Sequence, residues 1–274
     1  MPLNRDNSSR PTREFAGSHQ RSWLWGHHAV LETLAAGRWP VIELFADPQL
    51  PPDVLQKVRT AAAVHRLPVQ AADSRRLEQL CRQPDHQGLL ARMGEFPCES
   101  LETLQSFVHS LLLQTPAENG TPPLFVLCDR LQDAHNFGAI LRCCDAVQAD
   151  GVIIGEREQV MVTPHVARAS SGAVNHLRLF RMASLTEAVN QFQSAGYQII
   201  AASEKSSTLL WDTPLKGPLV LVIGSEARGI DAELLARCQV RVAIPMLGQV
   251  SSLNAAVAAG ILLYECRRQN PRTA

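Results

Sequence analysis

The stretch Ile244 to Glu265 reads I-P-M-L-G-Q-V-S-S-L-N-A-A-V-A-A-G-I-L-L-Y-E. It is a strand end, a polar loop and then a helix. Ser251, Ser252 and Asn254 suit a helix start as capping residues. Ala255 to Tyr264 is apolar almost all round, so this helix must be covered on several sides, by its own domain and by another subunit. Two earlier segments are likewise polar or glycine-rich at strand ends. Cys128 to Arg142 reads C-D-R-L-Q-D-A-H-N-F-G-A-I-L-R, with a helix expected to begin near Asn136 to Gly138. Asn136 there can serve as a cap. Arg142 is either a solvated helix residue or, on a helix made apolar by Ala139, Ile140, Cys143, Cys144 and Ala146, a group that faces a partner. Val222 to Ile230 reads V-I-G-S-E-A-R-G-I after the apolar run Leu219 to Ile223. Gly224 would let a ligand come close to the backbone, or simply make a tight turn with Glu226 exposed.

Working outward, apolar runs predict strands at Leu124–Cys128, Val152–Ile154, Leu177–Phe180, Gln198–Ala201, Leu219–Ile223 and Val240–Ile244, separated by helical segments. Alternation of this kind gives an α/β fold with a mostly parallel sheet and helices on both faces. Ligands of such sheets collect at the carboxyl ends of strands, where all three polar segments fall. Upstream, a smaller α/β unit is expected: a helix at His28–Ala36, a strand at Val41–Ala46, a helix at Asp53–His65 and strands near Pro68–Ala72 and Gly88–Met93. An amphipathic helix at Leu101–Leu113 and the Pro-, Gly- and Asn-rich Thr115–Pro123 then separate the two parts. The expected division is an arm over 1–22, a first domain over 23–97, a linker with a helix over 98–122, a second domain over 123–268 and a tail over 269–274. The arm carries Arg5, Arg10, Arg13 and Arg21 against Asp6 and Glu14, a composition that stays solvated or touches phosphate.

The 274 residues carry 26 Lys and Arg against 26 Asp and Glu, so no net charge argues for a polyanionic partner. The seven cysteines are odd in number and never spaced C-x-x-C, which suggests reduced thiols and no metal site. No apolar run reaches the roughly 18 residues of a spanning helix, and no signal segment opens the chain, so a cytoplasmic protein is expected. Neither G-x-G-x-x-G nor a Walker A string occurs, against a nucleotide-binding dehydrogenase or a classical Rossmann methyltransferase. G-x-S-x-G and H-E-x-x-H are also missing, against a hydrolase.

Together the three polar segments resemble motifs 1, 2 and 3 of the SpoU/TrmH family of RNA ribose 2′-O-methyltransferases, in order and spacing. W-G-H-H-A-V-L-E-T-L at Trp25–Leu34 and H-Q-G at His86–Gly88 resemble the family's substrate-binding module, in the arrangement of the bacterial enzymes that methylate a guanosine of 23S ribosomal RNA. The resemblance spans about Trp23 to Arg268. It implies S-adenosylmethionine as cofactor, RNA as partner, no metal, a C-terminal trefoil knot that departs from the usual unknotted rule, and a homodimer in which each active site is completed by the partner. It places the cofactor against the backbone of Gly224, Ile244 and Leu253, with Met246 and Leu247 lining the same cleft. It gives functional roles to Asn136, Arg142, Glu226, Ser252 and Asn254. The departures are Ala134 and Phe137 in motif 1 and Ala227 in motif 2, which bear on loop shape and substrate choice. The family's arginine is assigned as a base, but a guanidinium with a pKa above about 12 keeps its proton. Phosphate binding beside the target ribose suits Arg142 better, with Asn136 and Asn254 orienting the two sides and Glu226 positioning Arg142 or substrate. The first domain is expected to read RNA shape and backbone. Transfer RNA as target, or an RNA-binding relative without catalysis, are the competing readings.

Overall fold

The computed structural model describes residues 22–113 and 121–271. The expected arm up to residue 21, part of the Thr115–Pro123 connector and the last three residues lie outside that range. The described chain divides between Phe96 and Pro97 into two compact units.

In the first unit the elements run β1 (Trp23–Trp25), α1 (His27–Ala36), β2 (Val41–Ala46), α2 (Pro52–Val64), β3 (Val69–Ala71), α3 (Ser74–Cys81) and β4 (Leu89–Met93). The four strands form one sheet in the order β1-β4-β2-β3, antiparallel at β1–β4 and β4–β2 and parallel at β2–β3. Sequence periodicity did not reveal β1 or α3. Trp23, Leu24 and Trp25 are all buried, too short a run to show a period, and Trp25 is anchored by its indole N–H to Asp85 at 2.9 Å. The α3 start is set by Asp73, whose carboxylate accepts the Arg76 amide at 2.8 Å.

The second unit begins with α4 (Leu101–Leu113), β5 (Leu124–Asp129), α5 (Ala134–Ala146), β6 (Gly151–Gly155), α6 (Pro164–Ala169) and β7 (Leu179–Met182). It continues with α7 (Leu185–Ser194), β8 (Gln198–Ala202), β9 (Leu219–Gly224), α8 (Ala232–Ala236), β10 (Val240–Val242) and α9 (Ala255–Gln269). All six strands are parallel, in the order β10-β8-β9-β5-β6-β7. Every residue of β5 is buried, as a strand covered on both faces requires.

Two expectations are corrected here. The segment 98–122 is not merely a linker: Leu104, Val108 and Leu111, one stripe of α4, join the second unit's core with Phe180 and Phe192. Arg178 stacks over Phe107 at 3.7 Å from the ring centroid and is ion-paired to Glu99, which ties the start of this segment to the sheet. The expected tail also starts too early. Gln269 closes α9, and the buried Asn270 side chain bonds to the Leu215 and Cys266 carbonyls.

Helix α9 buries Ala256, Ala259, Leu262, Leu263 and Cys266, and it packs on α5 where Gly260 meets Cys143. Two of its large apolar side chains are left out, Val257 at 52% exposed and Tyr264 at 59%, while Ile261 is half-buried. No cysteine is disulfide-bonded, and burial pushes the Cys128 and Cys266 thiols up to about 12, so they pack as neutral apolar groups. Among the described residues no helix is long and apolar enough to cross a membrane.

Candidate active site

Three loops leave the carboxyl ends of β5, β9 and β10, and the structure joins their polar side chains. The Asn254 side-chain oxygen accepts the Ala256 and Val257 amides at 2.9 and 3.3 Å, capping α9. Its Nδ2 donates to the Asn136 Oδ1 at 2.9 Å, and the Asn136 Nδ2 donates to the Glu226 Oε1 at 2.5 Å. The direction of this relay follows from its ends. A helix N-terminus offers only N–H donors and an ionised carboxylate only acceptors, so both amides between them have one possible orientation. The positive end of the α9 dipole is thereby passed through two amides to Glu226.

Asn254 caps α9 with one atom, as the sequence suggests, and with the other it reaches Asn136 across the site. For Asn136 the capping reading is corrected. Asp133 caps α5, accepting the Asn136 amide at 2.7 Å, and this frees the Asn136 side chain from the first turn onward.

Beside the relay lies a cleft of about 580 Å³, within the range of small-molecule sites. Gly224, Ile244, Met246, Ser252 and Leu253 line it, together with Glu226. Leu247 does not: it is 98% exposed, and the expectation that it lines the cleft is corrected. The loop that presents Met246 inward turns the next residue outward. Glu204 and Lys205 also line the cleft, and sequence reading missed them. Their signal was their place just after β8, at the same carboxyl edge.

Two glycines are required by close approaches within the chain, Gly224 in the tight turn that was one of its two readings. A Cβ on Gly224 would lie 2.3 Å from the Gly229 carbonyl carbon, so glycine is required there by the chain's own fold-back before any ligand is considered. A Cβ on Gly138 would lie 2.4 Å from that of Ala169, so α5 can rest on α6 only with glycine at this place. Phe137 is wholly buried, which makes that departure from motif 1 a matter of core packing rather than loop shape.

Arg142 is not gathered into this group. It is exposed on α5 and forms no ion pair or hydrogen bond with any described residue. Six positions separate it from Asn136, which places the two about 120° apart around the helix. It shares an outward stripe with His135, Ala139 and Ala146, next to the exposed side of α9.

Residues 123–264 match the SpoU rRNA Methylase family, and residues 23–97 match the RNA 2′-O ribose methyltransferase substrate-binding module. The chain belongs to the SpoU/TrmH family of RNA methyltransferases. It is 31% identical over 255 residues, 93% of this chain and 98% of the other, to YacO of Bacillus subtilis, placed by name among TrmH-family tRNA/rRNA methyltransferases. Among solved structures it is similar to the SpoU methyltransferase AviRb of Streptomyces viridochromogenes in complex with S-adenosylmethionine (28% identity, TM-score 0.71, 90% and 89% of the two chains). It is likewise similar to an S-adenosylmethionine-bound rRNA methyltransferase of Sinorhizobium meliloti (25% identity, TM-score 0.73, 90% and 86%). This SpoU/TrmH protein is therefore an RNA methyltransferase with S-adenosylmethionine as its cofactor. The cleft fits such a group. Its lining joins the apolar Ile244 and Leu253 to the polar Ser225, Ser252 and Lys205, the mix of surfaces that a nucleoside with a charged amino-acid end calls for.

Proposed function

We propose that this SpoU/TrmH protein methylates a ribose 2′-hydroxyl of structured RNA, a guanosine of 23S ribosomal RNA in particular, as a homodimer in the cytoplasm. The relay from the α9 terminus through Asn254 and Asn136 to Glu226, at the rim of a nucleoside-sized cleft, carries this reading. The two-domain layout supports a ribosomal target: residues 23–97 serve RNA recognition and 123–268 serve transfer.

In this reading Gly224, Ile244 and Leu253 hold the cofactor through backbone groups, with Met246 and Ser252 beside them. S-adenosylmethionine supplies a methyl already activated on a sulfonium. The protein's task is then alignment and stabilisation of charge on a weakly acidic hydroxyl. Asn136 and Asn254 orient the two sides, and Glu226 holds Asn136 in place. Arg142 binds the phosphate next to the target ribose and makes the hydroxyl easier to deprotonate. Because Arg142 stands on the outward face of α5, it serves the cleft of a second copy of the chain. The exposed Val257 and Tyr264 of α9 and the small residues Ala139 and Ala146 of α5 give that second copy an apolar seat beside it. A return of the chain from the edge strand β10 to α9, packed against α5 and the central β9, is what a knotted C-terminal segment would require.

Incubation with methyl-labelled S-adenosylmethionine, ribosomal RNA and transfer RNA, followed by nucleoside analysis, tests the reading. Label in 2′-O-methylguanosine of 23S RNA is expected. Label confined to transfer RNA, or on a base, would overturn the target or the chemistry.

A further inference from the structure

The loop bearing Glu226 is held shut at its base by a residue of the first polar segment that was given no role there and does not line the cleft. Asp129 ends β5, pairs in register with Gly224 at the end of β9, and is only 3% exposed. Its carboxylate accepts the Asp231 amide at 2.6 Å, so one residue fixes the chain where the loop leaves the sheet and again where it re-enters at α8. Between those points Ser225 and Gly229 exchange two backbone hydrogen bonds, at 3.1 and 2.8 Å, and Glu226 sits at the tip. Arg130 completes the arrangement. Its Nε lies 3.2 Å from Asp129 and its guanidinium 3.5 Å from the Asp231 carboxylate, and its backbone takes the left-handed φ of 56° that lets the side chain turn back. A non-glycine residue held there is strained and persists where its surroundings hold it.

We infer that Asp129 is a positioning residue: with Arg130 it latches the 224–231 loop, and through that loop sets one wall of the cofactor cleft and the place of Glu226. The inference rests on the proposed role of that cleft only in its second half. Asp129 is also a poor choice for stability alone. Burial pushes its carboxyl up from the usual range, against the opposing pull of the Asp231 amide and of Arg130. A carboxyl raised in the folded state contributes most when protonated, and that contribution is lost as pH rises through the folded value. At neutral pH the charge therefore subtracts from stability. A neutral substitute should cost the fold little and the loop much.

The test uses the full chain with Asp129→Asn, which keeps size and shape but sets an amide N–H₂ against Arg130 or against the Asp231 amide. Three readouts are taken at neutral pH: melting temperature, deuterium uptake of 224–231 without cofactor, and S-adenosylmethionine affinity by calorimetry. Melting is expected to be unchanged or higher, and uptake of the loop is expected to rise while β5 and β9 stay protected. Affinity should weaken roughly ten-fold, the scale on which one charge-assisted hydrogen bond counts. Loop uptake at the wild-type level would overturn the latch. Looser exchange with unchanged affinity would keep the latch and remove the loop from the cofactor site. Should Asp129→Asn not fold, Arg130→Gln, which leaves the carboxylate in place, is measured the same way with the same outcomes.

Discussion

Asn254 donates its side-chain amide to Asn136 at 2.9 Å across 118 residues of chain, while its side-chain oxygen caps the helix that begins one residue later. One side chain thus serves stability through one atom and the site through another, and the two can be separated by substitution. Asn254→Ser keeps a good capping oxygen and removes the donor. Melting is expected to stay within about 0.5 kcal/mol of wild type, whereas Asn254→Ala should lose about 1 kcal/mol with the cap. Both should lower labelled methyl transfer by at least about ten-fold, the scale of one lost hydrogen bond in a transition state. A serine variant with wild-type turnover would show that the relay has no part in the reaction.

Gly138→Ala sets two effects against each other. Alanine in a helix interior is favoured over glycine by about 1 kcal/mol. The added methyl, however, would stand 2.4 Å from the Ala169 Cβ and 2.9 Å from the Ser170 amide nitrogen, and backbone cannot yield as a side-chain tip can. Overpacking of this kind costs about 1 to 3 kcal/mol. Net destabilisation is expected by chemical denaturation, with α5 and the Asn136 it carries displaced.

At the C-terminal end of α9, the Glu265 carboxylate takes bonds from Arg268 at 2.7 and 2.8 Å and from Gln269 at 2.8 Å. The Arg268 bonds hold its pKa below the usual carboxylate range, with Gln269 adding to the effect against burial. A carboxylate lowered in the folded state adds stability above its unfolded value and loses it as pH falls through the folded one. Glu265→Gln should therefore melt below wild type at neutral pH, and the gap should close in acid. A gap that stays constant from neutral pH down to about pH 3 would assign the effect to packing instead.

Much of this was readable from residue order because strands covered on both faces must be apolar runs, and polar loops at their ends then stand out. The Leu124–Cys128 and Val152–Ile154 strands follow from that contrast, the Leu101–Leu113 helix from its apolar stripe, and the meeting of Asn136, Glu226 and Asn254 from the family resemblance. What stayed hidden was decided by contacts distant in sequence. Trp23–Trp25 is a strand because Leu90–Arg92 pairs with it. The strand expected from Leu177 starts at Leu179, since the turn over Ala173–Asn175 delays it. Asp129 looks like any loop acid until the Asp231 amide, 102 residues later, is seen against it. Leu247 and Met246 are adjacent and alike in type, and only the path of the loop puts one in the cleft and the other in solvent.

That Arg142 stands apart from Asn136 on the same helix leads to a test of shared active sites. Arg142→Ala removes an exposed side chain that has no partner among the described residues, so melting should stay within about 0.5 kcal/mol and S-adenosylmethionine should bind as before. Transfer should fall on the order of 100-fold or more if the guanidinium holds substrate phosphate, and Arg142→Lys should recover little, since a point charge cannot replace a planar fork. Asn136→Ala should be inactive for a different reason, loss of the relay. In a two-fold dimer whose sites each take Arg142 from one copy and Asn136 from the other, a mixed dimer of the two variants holds one site with both defects and one with neither. Subunit exchange between two nearly dead proteins should then restore about a quarter of wild-type activity, half of the dimers being mixed and half of their sites intact. No recovery after exchange confirmed by mass would place Arg142 and Asn136 in the same copy's site, and the outward face of α5 would need another purpose.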